Sequence, residues 1–276
     1  MSPAPLTTNK ANDVSVDHDG ALLSVANVGF DYDNTPILDE VSLTVDRGEF
    51  VALVGPSGCG KSTLLNLISG VLPARSGAIR TGDRVIRSDR LGNVSYMQQK
   101  DLLLPWRSVA ENSRLGIELR GAGHADSMEQ VERLSRSFGL ADVLDMMPWQ
   151  LSGGMRQRAA LLRAVLPENP VLLLDEPFGA LDAITRRSLQ QWLLNTLDTS
   201  DRAVVLVTHD VEESILLADR VLVMAPNPGR IVANIDVKID SSLDGADIST
   251  SSRFIELKKR VLSLLNGDES GSGASQ

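Results

Sequence analysis

The residues with the most evident chemistry form the run Gly55-Pro56-Ser57-Gly58-Cys59-Gly60-Lys61-Ser62-Thr63, which fits G-x-x-x-x-G-K-[ST]. An apolar run, Phe50 to Val54, comes before it, and an apolar helical stretch, Leu64 to Ile68, comes after. Strand, loop and helix in that order are what the pattern needs to hold phosphate, and they weigh against an ordinary glycine-rich turn. Glycines let the backbone curl until its N–H groups converge on phosphate oxygens. The helix start adds partial positive charge. Lys61 is expected to reach the β- and γ-phosphates, and Ser62 to offer its hydroxyl to Mg²⁺. Cys59 reads as a small residue filling space, with a reactive thiol as the alternative.

A second reactive pair closes the apolar run Val171 to Leu174: Asp175 and Glu176, followed by Pro177. Two adjacent carboxylates at the end of a core strand are costly unless something uses them. In an ATPase with the loop above, the acid at Asp175 holds Mg²⁺, usually through water. Glu176 then faces the γ-phosphate and takes a proton from the attacking water. A third segment, Leu151-Ser152-Gly153-Gly154-Met155-Arg156-Gln157-Arg158, opens a helix with a serine cap and two glycines. It is a second anion-binding helix start. Two phosphate sites in one chain imply two nucleotides or a partner copy.

The elements that must position these groups follow from the patterning. Phe50–Val54, Val171–Leu174, Val204–Val207 and Val221–Met224 are unbroken apolar runs, as in strands buried on both faces. Helical patterns such as Met155–Leu166 and Ala183–Leu197 lie between them, so an α/β fold with a mainly parallel sheet is expected. Leu22–Val28 and Val41–Val45 read as further strands. From about residue 102 to 165 strand-like runs are few, and Met128, Val131, Leu134 and Phe138 recur at helical spacing. This stretch is expected to be a helical lobe inserted into the sheet domain. Phe254, Leu257, Val261, Leu264 and Leu265 mark a closing amphipathic helix. The polar ends, residues 1–20 and 267–276, read as disordered arms flanking one domain over 21–266.

Composition narrows the class. The 276 residues are 42% hydrophobic but only 4% aromatic, so aliphatic side chains must fill the core. Net charge is -9, from 27 basic and 36 acidic residues, which argues against nucleic acid as a partner. A single cysteine excludes a disulfide within the chain, and three scattered histidines suggest no zinc site. No run approaches the roughly 20 apolar residues of a membrane helix, so any membrane association is expected through a partner. The first ten residues lack the pattern of a secretory signal.

Together these motifs closely resemble the ABC transporter ATPase family. Leu151 to Arg158 resembles its signature, Gly179-Ala180-Leu181-Asp182 its D-loop, and Val207-Thr208-His209-Asp210 its switch-histidine segment. Gln99 resembles the Q-loop glutamine, by its spacing to Leu104-Pro105-Trp106, and Tyr32 the aromatic that stacks on adenine. Taken alone, His209 would be a buried structural histidine, Tyr32 a core or edge aromatic and Gln99 a solvated loop residue. The match runs from about residue 22 to 231, with every motif in order.

The resemblance implies a P-loop NTPase core with an antiparallel β-subdomain and a helical signature lobe. It also implies a homodimer, or a pair with a closely related ATPase subunit. Each ATP would lie between the Lys61 loop of one copy and Ser152, Gly153 and Gly154 of the other. Tyr32 would stack on adenine, a contact worth about 1–3 kcal/mol. Gly55 to Thr63 would hold the phosphates, and Ser62, Gln99 and Asp175 would position Mg²⁺ and its waters. Glu176 would act as general base, His209 would orient the γ-phosphate and water, and Asp182 would couple the two sites. A transmembrane permease would dock between Gln99 and about Arg120, on the cytoplasmic face of the inner membrane, and a substrate-binding protein would act indirectly. Trp106 is a docking candidate, with plain packing as the alternative.

Leu103-Leu104-Pro105-Trp106 and Pro226-Asn227-Pro228-Gly229-Arg230-Ile231 resemble the nitrate/sulfonate/taurine branch of importers, a pattern shared by pyrimidine-precursor importers. The segment after Ile231 is expected to be too short for the regulatory domain of maltose-type subunits. Trp149, where that branch more often has His, and the polar segment Asn234 to Ser252 depart from it. The rival is a soluble ABC-type ATPase, for instance one serving iron-sulfur assembly. A non-catalytic nucleotide-binding regulator is a further rival, against which Lys61, Asp175, Glu176 and His209 argue.

Overall fold

In the computed structural model, residues 21–82, 93–121, 123–197, 201–237 and 248–266 are described. The polar arms at 1–20 and 267–276, and most of the polar segment 234–252, lie outside them. Strands β1 (Ala21–Tyr32) and β2 (Thr35–Asp46) join through Asp33 and Asn34, both with positive φ, as a two-residue hairpin turn requires. With β4 (Ser76–Thr81) they form a three-stranded antiparallel sheet in the order β2-β1-β4.

The second sheet has six strands. Those not yet placed are β3 (Phe50–Val54), β5 (Val94–Met97), β6 (Val171–Asp175), β7 (Ala203–Val207), β8 (Arg220–Ala225) and β9 (Arg230–Asp236). Their order is β5-β6-β7-β3-β8-β9, and all neighbours are parallel except the β8–β9 pair. Every residue of β3, β6 and β7 is buried, as their unbroken apolar runs require.

Alternate residues of these strands enter two cores. Val51, Leu53, Val171, Leu173, Val205 and Val207 pack with the three-stranded sheet and with helix α1 (Lys61–Ser69). Ala52, Val54, Leu172, Leu174, Val204 and Leu206 pack with the other helices. Those are α5 (Gly153–Val165), α6 (Ala183–Leu197), α7 (Val211–Leu217) and α8 (Ser252–Asn266). The period of two along a strand thus divides one sheet between two hydrophobic compartments.

The lobe anticipated over 102–165 is helical: α2 (Val109–Ser113), α3 (Leu115–Glu118), α4 (His124–Ser137) and α5. On α4 Val131 is buried, Met128 and Leu134 are half-buried, and Phe138 closes the helix inside the core. Asn112, fully buried on α2, ties down the loop before it. Its amide donates to the carbonyls of Leu104 (3.1 Å), Arg107 (2.9 Å) and Ser108 (3.0 Å), and its carbonyl accepts from the Leu104 N–H (2.7 Å). Among the described residues no helix is long and apolar enough to cross a membrane.

Candidate active site

The loop after β3 owes its shape to glycines with distinct reasons to be glycine. A Cβ on Gly55 would lie 2.6 Å from the Met224 carbonyl oxygen and 2.8 Å from Cys59 Sγ. Gly58 (φ 80°) and Gly60 (φ 97°) occupy the left-handed region. Gly60 is also the N-cap of α1 and lends it no side-chain acceptor, so the first-turn N–H groups stay available to an anion. Pro56, Ser57 and Gly58 form an exposed crest over the buried Cys59, consistent with Cys59 as filler. Lys61 is buried, and its ammonium donates to the carbonyls of Gly55 (2.8 Å) and Pro56 (2.9 Å), with Cys59 Sγ at 3.8 Å.

Asp175, 2% exposed, comes beside this loop at the end of β6 and accepts a hydrogen bond from the Ser62 hydroxyl. Burial pushes its carboxyl above the usual carboxylate range. Ser62 and Lys61 oppose that shift, and Glu176 adds to it. A hydroxyl and a carboxylate here make a hard oxygen donor set that suits Mg²⁺, whose charge would favour the ionised carboxylate. Gln99, by contrast, is exposed and turns its amide to Glu176.

Glu176 carries a φ of 50°, unusual for a residue with a side chain and costing about 1–2 kcal/mol. Bonds on both sides hold it: its N–H donates to the Val207 carbonyl (2.8 Å), and its own carbonyl accepts from Gln157 Nε2 (3.1 Å). Gln157 also donates to the Pro177 carbonyl (3.2 Å). The bend sends the carboxylate between two side chains. Gln99 Nε2 lies 3.3 Å from Oε2, and His209 Nδ1 lies 3.3 Å from Oε1. The His209 side chain is 68% exposed, so it is not the buried structural histidine that its position after an apolar strand would suggest.

Gln157 lies within the signature-like segment, but motif reading gave it no role of its own. It is buried on the face of α5 that carries Ala160, Leu161 and Ala164, and a polar residue on an apolar stripe was the signal that could have found it. Replacing Gln157 with Leu takes the amide donor from the Pro177 carbonyl and leaves the Glu176 carbonyl only the Gly179 N–H at 3.3 Å. It is expected to lower stability by about 1–3 kcal/mol and to slow ATP turnover about tenfold by loosening Glu176. Denaturant unfolding and steady-state phosphate release check the two effects. Gly229 was quoted only as part of a family string. A Cβ there would fall on the Cys59 carbonyl oxygen, so the β8–β9 turn is the rear wall of the phosphate loop. Leu38 completes that wall, lying 2.6 Å from where a Cβ of Gly60 would be.

The remaining expected residues point elsewhere. Ser152 and Gly153 are exposed at the start of α5, where Ser152 Oγ accepts from the Met155 N–H (3.2 Å). Gly154 is half-buried, 3.5 Å from the Ala180 carbonyl by its would-be Cβ. Asp182 is exposed and caps α6 through the N–H groups of Ile184 (3.1 Å) and Thr185 (3.0 Å). Those bonds hold its carboxyl below the usual range, the Thr185 backbone bond first. Among the described residues no hydrogen bond or ion pair joins these groups to the Lys61 loop. Tyr32, half exposed at the hairpin, meets Phe30 edge to face with ring centroids 4.8 Å apart. Trp106 is 70% exposed, which removes plain packing as its account, and Trp149 and Leu102 are exposed as well.

Comparison with known proteins places the chain in a family. The profile of the family described as ABC transporter matches residues 38–179. The taurine import ATP-binding protein TauB of Rhizobium johnstonii is 39% identical over 236 residues, covering 84% of this chain and 90% of that protein. TauB of Escherichia coli K12 is 36% identical over 247 residues, covering 88% and 96%. Among solved structures, an ATP-binding subunit of an ABC transporter superposes with a TM-score of 0.74 at 28% identity, over 90% of this chain and 98% of that one. A dimeric bacterial ABC transporter cassette gives 0.71 at 26% identity, over 79% and 100%. The same cassette in a post-hydrolysis state with ADP and Pi gives 0.70 at 28% identity, with the same coverage.

Proposed function

Because the chain belongs to the ABC transporter family and is a transport ATPase, we propose that it is the ATP-hydrolysing subunit of a bacterial importer. In this reading two copies, or one copy and a closely related subunit, close around two Mg-ATP on the cytoplasmic face of a membrane permease. A substrate-binding protein delivers the cargo from outside, and the cargo is taurine or a similar small solute such as another sulfonate or nitrate. The observation that carries the hydrolytic part is the Glu176 carboxylate, with Gln99 and His209 each 3.3 Å away, beside the buried Asp175 and the Ser62 hydroxyl bonded to it.

Chemically, Glu176 takes the proton of a water whose oxygen bonds to the γ-phosphorus as the bond to ADP breaks. Lys61 and the first-turn N–H groups of α1 hold the phosphate oxygens, and His209 orients the γ-phosphate end. Ser62 and Asp175, with Gln99, would hold Mg²⁺ and its waters; the metal when bound offsets the charge gathering on the phosphates. Tyr32, exposed at its hairpin, offers a ring face to the adenine.

Ser152, Gly153, Gly154 and Asp182 spend no bonds on their own Lys61 loop, which leaves them free to complete a neighbour's site. Exposed Trp106, in the loop that Asn112 clamps, offers an apolar contact for the permease. The TauB relatives, named for taurine import, favour taurine over the other solutes.

The test is phosphate release by the protein reconstituted with its permease and binding protein in vesicles. Turnover is expected to rise when taurine is supplied, and less with nitrate or a pyrimidine precursor. Turnover unaffected by the permease, with no membrane protein co-purifying, would instead favour a soluble ABC-type ATPase.

A further inference from the structure

Two carboxylates among the described residues are buried: Asp175, already placed beside the phosphate loop, and Glu213 on α7, 6% exposed. The hydrolytic scheme makes no use of Glu213, yet both its oxygens are engaged. Oε2 accepts a short hydrogen bond from the Thr208 hydroxyl, and Oε1 accepts from Gln190 Nε2 at 2.9 Å. Thr208 Oγ in turn accepts from the Asp210 N–H at 3.0 Å. The residues on either side of His209 are therefore fixed by one chain of bonds that ends on Glu213.

Gln190 lies on α6, the helix capped by Asp182. One turn nearer that cap, Arg186 donates to the Leu181 carbonyl at 3.0 Å, and its charge favours the ionised form of Glu213. Its Nε is buried without a partner. Burial pushes the Glu213 carboxyl up, and the bonds from Thr208 and Gln190 act against that. A small pocket joins the same groups: Glu176, Phe178, Gly179, Arg186, His209 and Glu213 line it together. A buried carboxylate with both oxygens hydrogen-bonded, lining the same pocket as Glu176 and His209, is placed to hold the arrangement of that site.

We infer that Glu213 is a positioning residue for His209. It fixes the 208–210 loop so that the imidazole stands against Glu176, and through Gln190 it ties that loop to α6 and hence to the Asp182 segment. Closure sensed at Asp182 by a second copy would then reach His209 through a single helix. The inference rests on the reading of His209 as a residue of the hydrolytic step.

Glutamine at 213 keeps the shape but offers one acceptor to two donors. A displacement of ~1 Å near reacting groups costs up to ~100-fold in rate, so Glu213→Gln is expected to lower kcat about 10- to 100-fold. KM for ATP should stay within about twofold. The decisive measurement is a double-mutant cycle on the full chain assembled with its permease. Adding Glu213→Gln to His209→Ala should cost no further rate beyond about twofold, because the first residue acts through the second.

Multiplying losses would overturn the inference, as would a raised KM with unchanged kcat. An unchanged kcat in His209→Ala alone would remove the premise, and the inference with it. Should Glu213→Gln fail to fold, Thr208→Val severs the same link more gently. Its kcat should fall and Thr208→Ser should restore it; a parental rate in Thr208→Val would overturn the proposal.

Discussion

Replacing Glu176 with glutamine is expected to halt hydrolysis while leaving ATP bound. The amide matches the carboxylate in size and keeps an acceptor for one of Gln99 and His209, which lie 3.3 Å away on either side. The backbone bonds that hold the strained φ, from Gln157 and to Val207, do not involve the side chain. What is lost is the ability to accept a proton from water. General-base catalysis contributes about 10²–10⁴-fold, so kcat should fall by that factor with the ATP dissociation constant nearly unchanged. If each ATP completes its site with Ser152, Gly153 and Gly154 of a second copy, the stalled enzyme cannot dissolve that contact. Light scattering with ATP and Mg²⁺ should then show a stable dimer. A variant that stays monomeric under those conditions would contradict the paired site, and one that retains parental turnover would remove Glu176 as the base.

Replacing Lys61 with alanine is expected to act earlier, on binding as well as turnover. The ammonium is buried and donates to two loop carbonyls, at 2.8 and 2.9 Å, so it both braces the loop and supplies its only lysine charge. Charge-assisted hydrogen bonds are each worth about 1.5–3 kcal/mol, so losing those to phosphate should weaken ATP binding by roughly 10²-fold or more. Turnover should drop below detection. Titration with a fluorescent ATP analogue measures the first effect and phosphate release the second. The two variants thus separate cleanly, one binding without reacting and the other failing at both, and equal binding in the two would refute the assignment of Lys61.

The motifs proposed to carry the chemistry are local strings, readable because each depends on neighbours in sequence. β3, β6, β7 and β8 were legible for a different reason: strands buried on both faces must be apolar throughout. β4, β5 and β9 were not. Ser76–Thr81 has few apolar residues, Val94–Met97 is four residues long at a sheet edge, and Arg230–Asp236 is mostly exposed. The hairpin strands β1 and β2 also run past the segments anticipated from their apolar centres, because paired backbone groups extend a ladder beyond its hydrophobic patch. Within the site, Gln157 and Gly229 lay inside quoted strings that gave them no role, and Glu213 lay in none. Gln157 reaches the carbonyl of Glu176 across 19 residues, and Gly229 meets a loop on the far side of the chain. Gln157 and Glu213 are polar residues on apolar helix faces, Gly229 reads as an ordinary turn glycine, and the partner of each is supplied only by the fold.

Neighbouring residues of β3, β6 and β7 look into different compartments, so the six-stranded sheet is a septum one residue thick. The aromatic hairpin lies on one side of it and the signature helix on the other. Lys61 and Glu176 sit where the septum's strands run out, at the rim common to both rooms. A shift in the furniture of either room therefore arrives at the same pair of residues, and a bound triphosphate can register the state of the whole subunit from that one edge.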